Sequence, residues 1–367
     1  MSRKKILCVI GTRPEAIKMA PVILALQKEP WAQVRVLATA QHRHMLDQVN
    51  QLFGIEPDID LDIMRPNQAL ATLTARLLLD LDDVLQAEKP DAVLVQGDTT
   101  TVMSATLASF YHRIPVGHVE AGLRTWDMQN PFPEEANRVM TGKLARWHFA
   151  PTEQSRQNLL KDGVADRDIT VTGNTVIDAL LMTVSRDIDL GIDLDPAKPV
   201  VLVTAHRREN FGAPFRNICH ALRRLSQANP GVQFLYPVHP NPNIKDVAHE
   251  SLAGLPNVML CEPLDYAPFI AAMKRAYIIL TDSGGVQEEA PALGKPVLVL
   301  RDETERPEAV AEGVVKLVGP HEQRIVDEVQ RLLDDPAAYR AMARGVSPYG
   351  DGKAARRIVN TLREYFT

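Results

Sequence analysis

Residues 277–293 read YIILTDSGGVQEEAPAL. The apolar run Tyr277–Leu280 has the length and composition of a buried strand. Ser283-Gly284-Gly285 is a turn nearly devoid of side chains, and Val286–Leu293 reads as a helix. Such a turn leaves backbone N–H groups unpaired at the positive end of a helix dipole, which suits a phosphate. Glu289 lies about one turn further in, where its carboxylate can accept hydrogen bonds from a ribose. An ordinary strand-to-helix connection uses the same small residues, so the reading depends on what surrounds it.

The strand–turn–helix unit recurs along the whole chain. Strands are expected at 6–10, 34–38, 92–95, 116–119, 147–150 and 169–172, separated by amphipathic helical stretches. Residues 187–199, rich in Asp and Pro, break the periodicity. A second series then places strands at 200–204, 233–236, 258–260, 278–280, 297–300 and 315–317. Short unalternating strands joined by helices imply parallel sheets covered on both faces. At 367 residues the chain exceeds one comfortable core. The expected fold is therefore α/β: two Rossmann-like, doubly wound parallel-sheet domains facing a central cleft. The first spans residues 1–173 and the second 174–351, while the helix in 352–367 returns to pack on the first. Ligands in such sheets bind outside the C-terminal strand ends.

Composition narrows the function classes. There are 41 Lys and Arg against 46 Asp and Glu, a net charge of −5, which argues against a nucleic-acid surface. No apolar run reaches the length of a membrane span, and a cytoplasmic setting with no membrane partner is expected. Cys8, Cys219 and Cys261 are far apart and form no C-x-x-C pair, so no metal site is expected. Cys8 lies in a strand and reads as core. The string Gly350-Asp351-Gly352-Lys353-Ala354-Ala355 matches a dinucleotide pattern by letter, yet no strand precedes it. No cofactor is expected.

Polar residues collect at the predicted strand ends. Gly11-Thr12-Arg13-Pro14-Glu15-Ala16-Ile17-Lys18 follows the first strand, with Pro14 suited to the first helical turn. Arg13 can grip a phosphate or carboxylate, and Lys18 stands one turn on. Asp98 follows another strand, where capping the next helix is the commonest use of Asp. Glu120 in His118-Val119-Glu120-Ala121-Gly122 ends the next strand, and Glu134 opens a helix with Arg138 four residues on. Three carboxylates on one rim raise one another's pKa, as acid/base chemistry requires. In the second half, His206-Arg207-Arg208 and His239 follow strands, adding local positive charge to an acidic protein.

Taken together, GTRPEAIKMAP, QGDTTT, GHVEAGLRT, PFPEEANR, GNTVIDAL, TAHRREN, TDSGGVQEEAP, LRDETERPE and PYGDGKAA resemble the non-hydrolysing UDP-N-acetylglucosamine 2-epimerases, in order from first strand to last helix. The resemblance implies the GT-B-like architecture shared with nucleotide-sugar glycosyltransferases. It implies a homodimer that interconverts UDP-GlcNAc and UDP-ManNAc for bacterial surface polysaccharides. Asp98, Glu120 and Glu134 would be the acid/base carboxylates, assisted by Arg138, with Arg13 and Lys18 on the nucleotide sugar. His206, Ser283, Gly284 and Gly285 would hold the diphosphate. Phe269 would lie by the uracil, Glu289 on the ribose and Arg306 near sugar and phosphate. Some members are activated by a second UDP-GlcNAc. Gln41, Arg207 and His239 match positions tied to that effect, whereas His44 and Asn67 depart from it.

The chemistry follows from what the C2 proton lacks: no neighbouring carbonyl acidifies it. Breaking the C1–O bond expels UDP as C2 loses its proton, and protonating the resulting glycal from the other face inverts C2. Three other readings stay open on sequence alone: a hydrolysing epimerase releasing ManNAc, a GT-B glycosyltransferase, and a silent nucleotide-sugar sensor.

Overall fold

In the computed structural model, which describes residues 3–39, 43–63, 65 and 68–367, the strands form two wholly parallel sheets. The first contains β1 (Lys4–Ile10), β2 (Ala32–Ala38), β3 (Ile59–Asp60), β4 (Ala92–Gln96), β5 (Val116–Val119), β6 (Trp147–Ala150) and β7 (Ile169–Val171), in the order β3-β2-β1-β4-β5-β6-β7. The second contains β8 (Val200–Thr204), β9 (Gln233–Pro237), β10 (Val258–Cys261), β11 (Ile278–Thr281), β12 (Val297–Val299) and β13 (Val315–Leu317), in the order β10-β9-β8-β11-β12-β13. Each order reverses once, between β1 and β4 and between β8 and β11. The chain thus carries two doubly wound, Rossmann-like α/β domains, each with its own topological switch point.

The central strands are buried because both faces are covered. Val200, Val201, Leu202 and Val203 are wholly inaccessible to solvent. In the first unit, Leu73, Leu77, Leu81 and Leu85 recur at four-residue spacing along the helix Leu70–Glu88 and pack over Leu7 and Val93. Burying a leucine side chain contributes about 1.5–3 kcal/mol. In the second unit Phe215, Phe234 and Tyr236 anchor the equivalent core. Cys8 is core as expected, with burial pushing its thiol up to about 12.

The two units divide at Leu181/Met182 and at Pro348/Tyr349, and residues from Tyr349 onward belong to the first. This moves the boundary expected after residue 173. Asn174 N–H donates to the Tyr349 carbonyl at 2.6 Å, and Asp178 accepts from the Ala354 and Ala355 amides at 3.1 and 2.9 Å. Those long-range bonds hold 174–181 and the chain's last segment together. The helix Ala354–Phe366 packs on the helix Arg13–Gln27. Its Tyr365 meets Trp147 edge-on, with ring centroids 4.9 Å apart.

Among the elements that escaped the sequence reading are β3, only two residues long, and the helix Pro336–Met342, whose start Asp335 caps. The helix read as 286–293 instead starts at Gly284. It tightens into a 3-10 turn at Ala290–Leu293, where Pro291 has no N–H to give.

Candidate active site

At the first switch point, Thr12 caps the helix Arg13–Gln27 in a capping box with Glu15. The Glu15 carboxylate is buried. It accepts from Gly11 N–H at 2.5 Å, Thr12 N–H at 3.0 Å and the Thr99 hydroxyl at 2.6 Å. Thr99 in turn caps the helix Thr100–Tyr111. One carboxylate therefore ties the turn after β1 to the turn after β4. Gly11 permits the close approach, since a Cβ there would stand 2.7 Å from Thr39 Oγ1 and 2.8 Å from Thr101 Oγ1. Burial raises Glu15 to about 7 against those three donors.

Around Lys18 on the same helix, the carboxylates assemble. Lys18 Nζ donates to both Glu120 oxygens at 2.7 Å. Gln96 Nε2 and Asn174 Nδ2 donate to Glu120 as well, the latter at 3.0 Å. Glu120 takes this position with φ of 65°, a left-handed backbone that non-glycine residues adopt at a cost of about 1–2 kcal/mol. The donors at its carboxylate hold it there. Asp98 lies 3.4 Å from Arg138 Nη2. Burial is the main cause of its raised pKa. Arg138 opposes that rise, as Lys18 does more weakly, while Glu120 and Glu134 add to it. Asp98, Glu120, Glu134, Lys18 and Arg138 are thus one electrostatic cluster. Glu134 is half-buried and makes no side-chain hydrogen bond among the described residues. Its neighbour Glu135 is buried, accepts from the Thr125 and Trp126 amides, and pairs with Arg138 at 3.3 Å. Arg13 is half-buried beside this cluster in sequence, with no side-chain partner among the described residues.

His118 supports the cluster from β5. Its Nε2 bonds the Gly97 carbonyl at 2.7 Å, and burial lowers its pKa to about 3. Neutral at physiological pH, it donates its Nε2–H to the Gly97 carbonyl and steadies the turn that carries Asp98.

At the second switch point Asp282 is fully buried after β11. It accepts from the His206 and Arg207 amides, both at 2.8 Å, and from Asn210 Nδ2 at 3.0 Å. The register that pairs Thr281 with Thr204 brings these strand ends level, their hydroxyls 2.6 Å apart. His206 lies 3.5 Å from Asp282 and stacks on the exposed His239, centroids 5.7 Å apart. Burial lowers its pKa despite Asp282. Over the turn Ser283-Gly284-Gly285, a Cβ on Gly284 would stand 3.8 Å from Arg207 Nη2 and 4.0 Å from Arg306 Nη2. Two guanidinium groups therefore flank the glycine turn. Arg306 is aimed there by Glu288, which accepts from its Nε. Glu289 is buried and accepts from the Tyr266 hydroxyl at 3.1 Å, while Phe269, on the same helix as Tyr266, is half-buried.

The structure thus gathers Lys18, Asp98, Glu120, Glu134 and Arg138 in the first unit, and His206, Arg207, His239, Ser283, Gly284, Gly285 and Arg306 in the second. Gln41, Asn67 and the side chain of His44 lie outside the described residues. Sequence reasoning singled out neither Glu15 nor Gln96, Asn174, Asp282, Arg301 and Glu305. Each acts through a partner distant in sequence, which spacing cannot reveal. The signal that was available for Glu15 was its capping-box spacing from Thr12. Among the described residues no group of three or more His, Cys, Asp or Glu could hold a metal ion.

Residues 24–363 match the family model described as UDP-N-acetylglucosamine 2-epimerase. The chain is 56% identical to the UDP-N-acetylglucosamine 2-epimerase of Escherichia coli (strain K12) over 371 residues, covering 98% of each. Among solved structures it resembles the UDP-GlcNAc 2-epimerase of Neisseria meningitidis bound to UDP-GlcNAc, with 51% identity and TM-score 0.88. That match covers 98% of this chain and 100% of that one. A kitacinnamycin glycotransferase with TM-score 0.69 and 14% identity shares the fold alone. The arrangement of the motifs, the two sheets and the extent of these matches place the chain in the UDP-N-acetylglucosamine 2-epimerase family.

Proposed function

We propose that this protein epimerises C2 of UDP-N-acetylglucosamine reversibly to UDP-N-acetylmannosamine without net hydrolysis. The observation that carries the reading is the cluster at the first switch point, where Glu120 is cradled by Lys18, Gln96 and Asn174 beside the Asp98–Arg138 pair. In the forward step a carboxylate takes the C2 proton while the C1–O bond breaks and its electron pair leaves with UDP. This forms 2-acetamidoglucal. In the return step a proton is delivered to the opposite face of C2 as a β-phosphate oxygen re-forms the bond to C1. Two faces require two proton-transfer groups, which Asp98, Glu120 and Glu134 supply.

The departing UDP carries new negative charge. Arg207 and Arg306 over Gly284, with His206, the Ser283 hydroxyl and the amides of Gly284 and Gly285, are suited to stabilise it. Arg13 meets the nucleotide sugar, Phe269 the uracil and Glu289 the ribose. On this reading the enzyme is a cytoplasmic homodimer feeding bacterial surface polysaccharide, with no metal or cofactor. Incubation with UDP-GlcNAc, followed by proton NMR, should show UDP-ManNAc at equilibrium with its epimer. Stoichiometric free ManNAc would instead favour the hydrolysing alternative.

A further inference from the structure

Beside the two guanidinium groups over Gly284 lie two carboxylates, Glu209 and Glu305, which ought to weaken anion binding there. Glu209 is two residues beyond Arg207, and Glu305 immediately precedes Arg306. Both meet the same buried cation. Arg301, only 8% exposed, donates from Nε to Glu209 Oε1 at 2.5 Å. From Nη1 and Nη2 it donates to the two Glu305 oxygens at 2.8 and 2.9 Å. A forked guanidinium with three charge-assisted bonds fixes orientation as well as distance.

The geometry points to Arg301 as a positioning residue that sets Arg207 and Arg306 over the glycine turn, acting through Glu209 and Glu305 without touching the ligand. Further bonds close the framework. Asn210 bridges Asp282 Oδ2 and the Leu300 carbonyl, which ties the 207–210 turn to the strand end from which Arg301 projects. Arg306 Nη1 donates to the Glu305 carbonyl at 3.3 Å, and Thr304 Oγ1 both accepts from Arg306 N–H and donates to Gln287. Arg301 holds Glu305 ionised, down at about 2, and Arg207 contributes to the same lowering. Glu305 therefore lies within electrostatic reach of Arg207, and its backbone carbonyl accepts from Arg306, so it meets both arginines it would position. This inference rests on the reading that the glycine turn takes the diphosphate.

The sign of one substitution decides it. Were Glu305 only a nearby negative charge, Glu305→Gln would remove repulsion and tighten binding of UDP. As the link between Arg301 and Arg306, its loss should weaken UDP binding about tenfold by isothermal titration calorimetry. Arg301→Gln should weaken UDP to a similar degree, and should cost less in an Arg306→Ala background than alone, because part of its effect runs through Arg306. Tighter or unchanged UDP binding by Glu305→Gln overturns the inference, and so do effects of Arg301→Gln and Arg306→Ala that simply multiply. Arg207→Ala and Arg306→Ala test the underlying reading separately. If both bind UDP like the parent protein, the glycine turn is not the diphosphate site.

Discussion

Lys18 places its ammonium 2.7 Å from each carboxylate oxygen of Glu120, joining the helix after β1 to the end of β5 through one shielded ion pair. Lys18 is 17% and Glu120 6% exposed at the side chain, so water does little to screen them. The pair fixes where Glu120 presents its oxygens and which backbone conformation it keeps.

Lys18→Met keeps the aliphatic stem and removes the charge, leaving the neutral donors Gln96 and Asn174 on Glu120. Removing one member of a buried pair costs about 3–5 kcal/mol, to be read from urea unfolding. Turnover should fall by roughly 10²–10⁴-fold, the range for a displaced acid/base group. A stable variant with parental turnover would remove Lys18 from the machinery.

The raised pKa of Asp98 is caused first by burial, and Arg138 holds it in check. In Arg138→Gln the restraint is gone and the carboxyl should rise further. Whichever limb of the kcat/KM pH profile Asp98 sets will then move to higher pH. A lower rate with an unmoved profile would mean that Arg138 acts on the substrate instead.

Glu15 gives a pH signature of its own. Folding raises its pKa from 4.5 to about 7, so the folded protein binds this proton more tightly than the unfolded chain. Stability from this group is full below about 4.5 and is lost as pH rises towards 7. His118 and His148 have the opposite sign. Burial lowers them from 6.5 to about 3 and about 4, so their contribution is lost as pH falls below 6.5. The difference between parent and Glu15→Gln isolates the first effect. Urea titrations from pH 4.5 to 7 should show the stability gap between the two proteins changing in the variant's favour as pH rises. A constant gap would contradict the assignment.

Gly11→Ala introduces a methyl 2.7 Å from Thr39 Oγ1 and 2.8 Å from Thr101 Oγ1. Overpacking of this kind costs about 1–3 kcal/mol. Because Gly11 N–H also bonds Glu15, the turn carrying Arg13 should shift and KM should rise, measurable alongside the thermal midpoint.

Much of the fold was legible because its central strands are buried. Val200–Thr204 and Val116–Val119 appear at the expected bounds, since short valine-rich segments between helices have few other readings. The domain boundary was not. Gly173 and the Asp-rich stretch after it look like punctuation, yet Asn174 and Asp178 bond residues 175 or more positions away. At the site, the residues at strand ends could be read as a rim because topology puts every C-terminal end on one side. Which residue holds which could not. Glu120 finds Lys18 at a separation of 102 residues, and Arg301 finds Glu209 at 92. Those partnerships follow from strand order β1-β4-β5 and β8-β11-β12, which local patterns do not encode.

The central claim is that carboxylates of the first unit exchange the C2 proton while the bond to UDP is broken. Incubating the protein with UDP-GlcNAc in D₂O and following C2 by NMR tests it most directly. The account predicts deuterium at C2 in the UDP-ManNAc formed and, with time, in the recovered UDP-GlcNAc, with both signals collapsing in Asp98→Asn and Glu120→Gln. UDP-ManNAc formed with its original C2 hydrogen would contradict it.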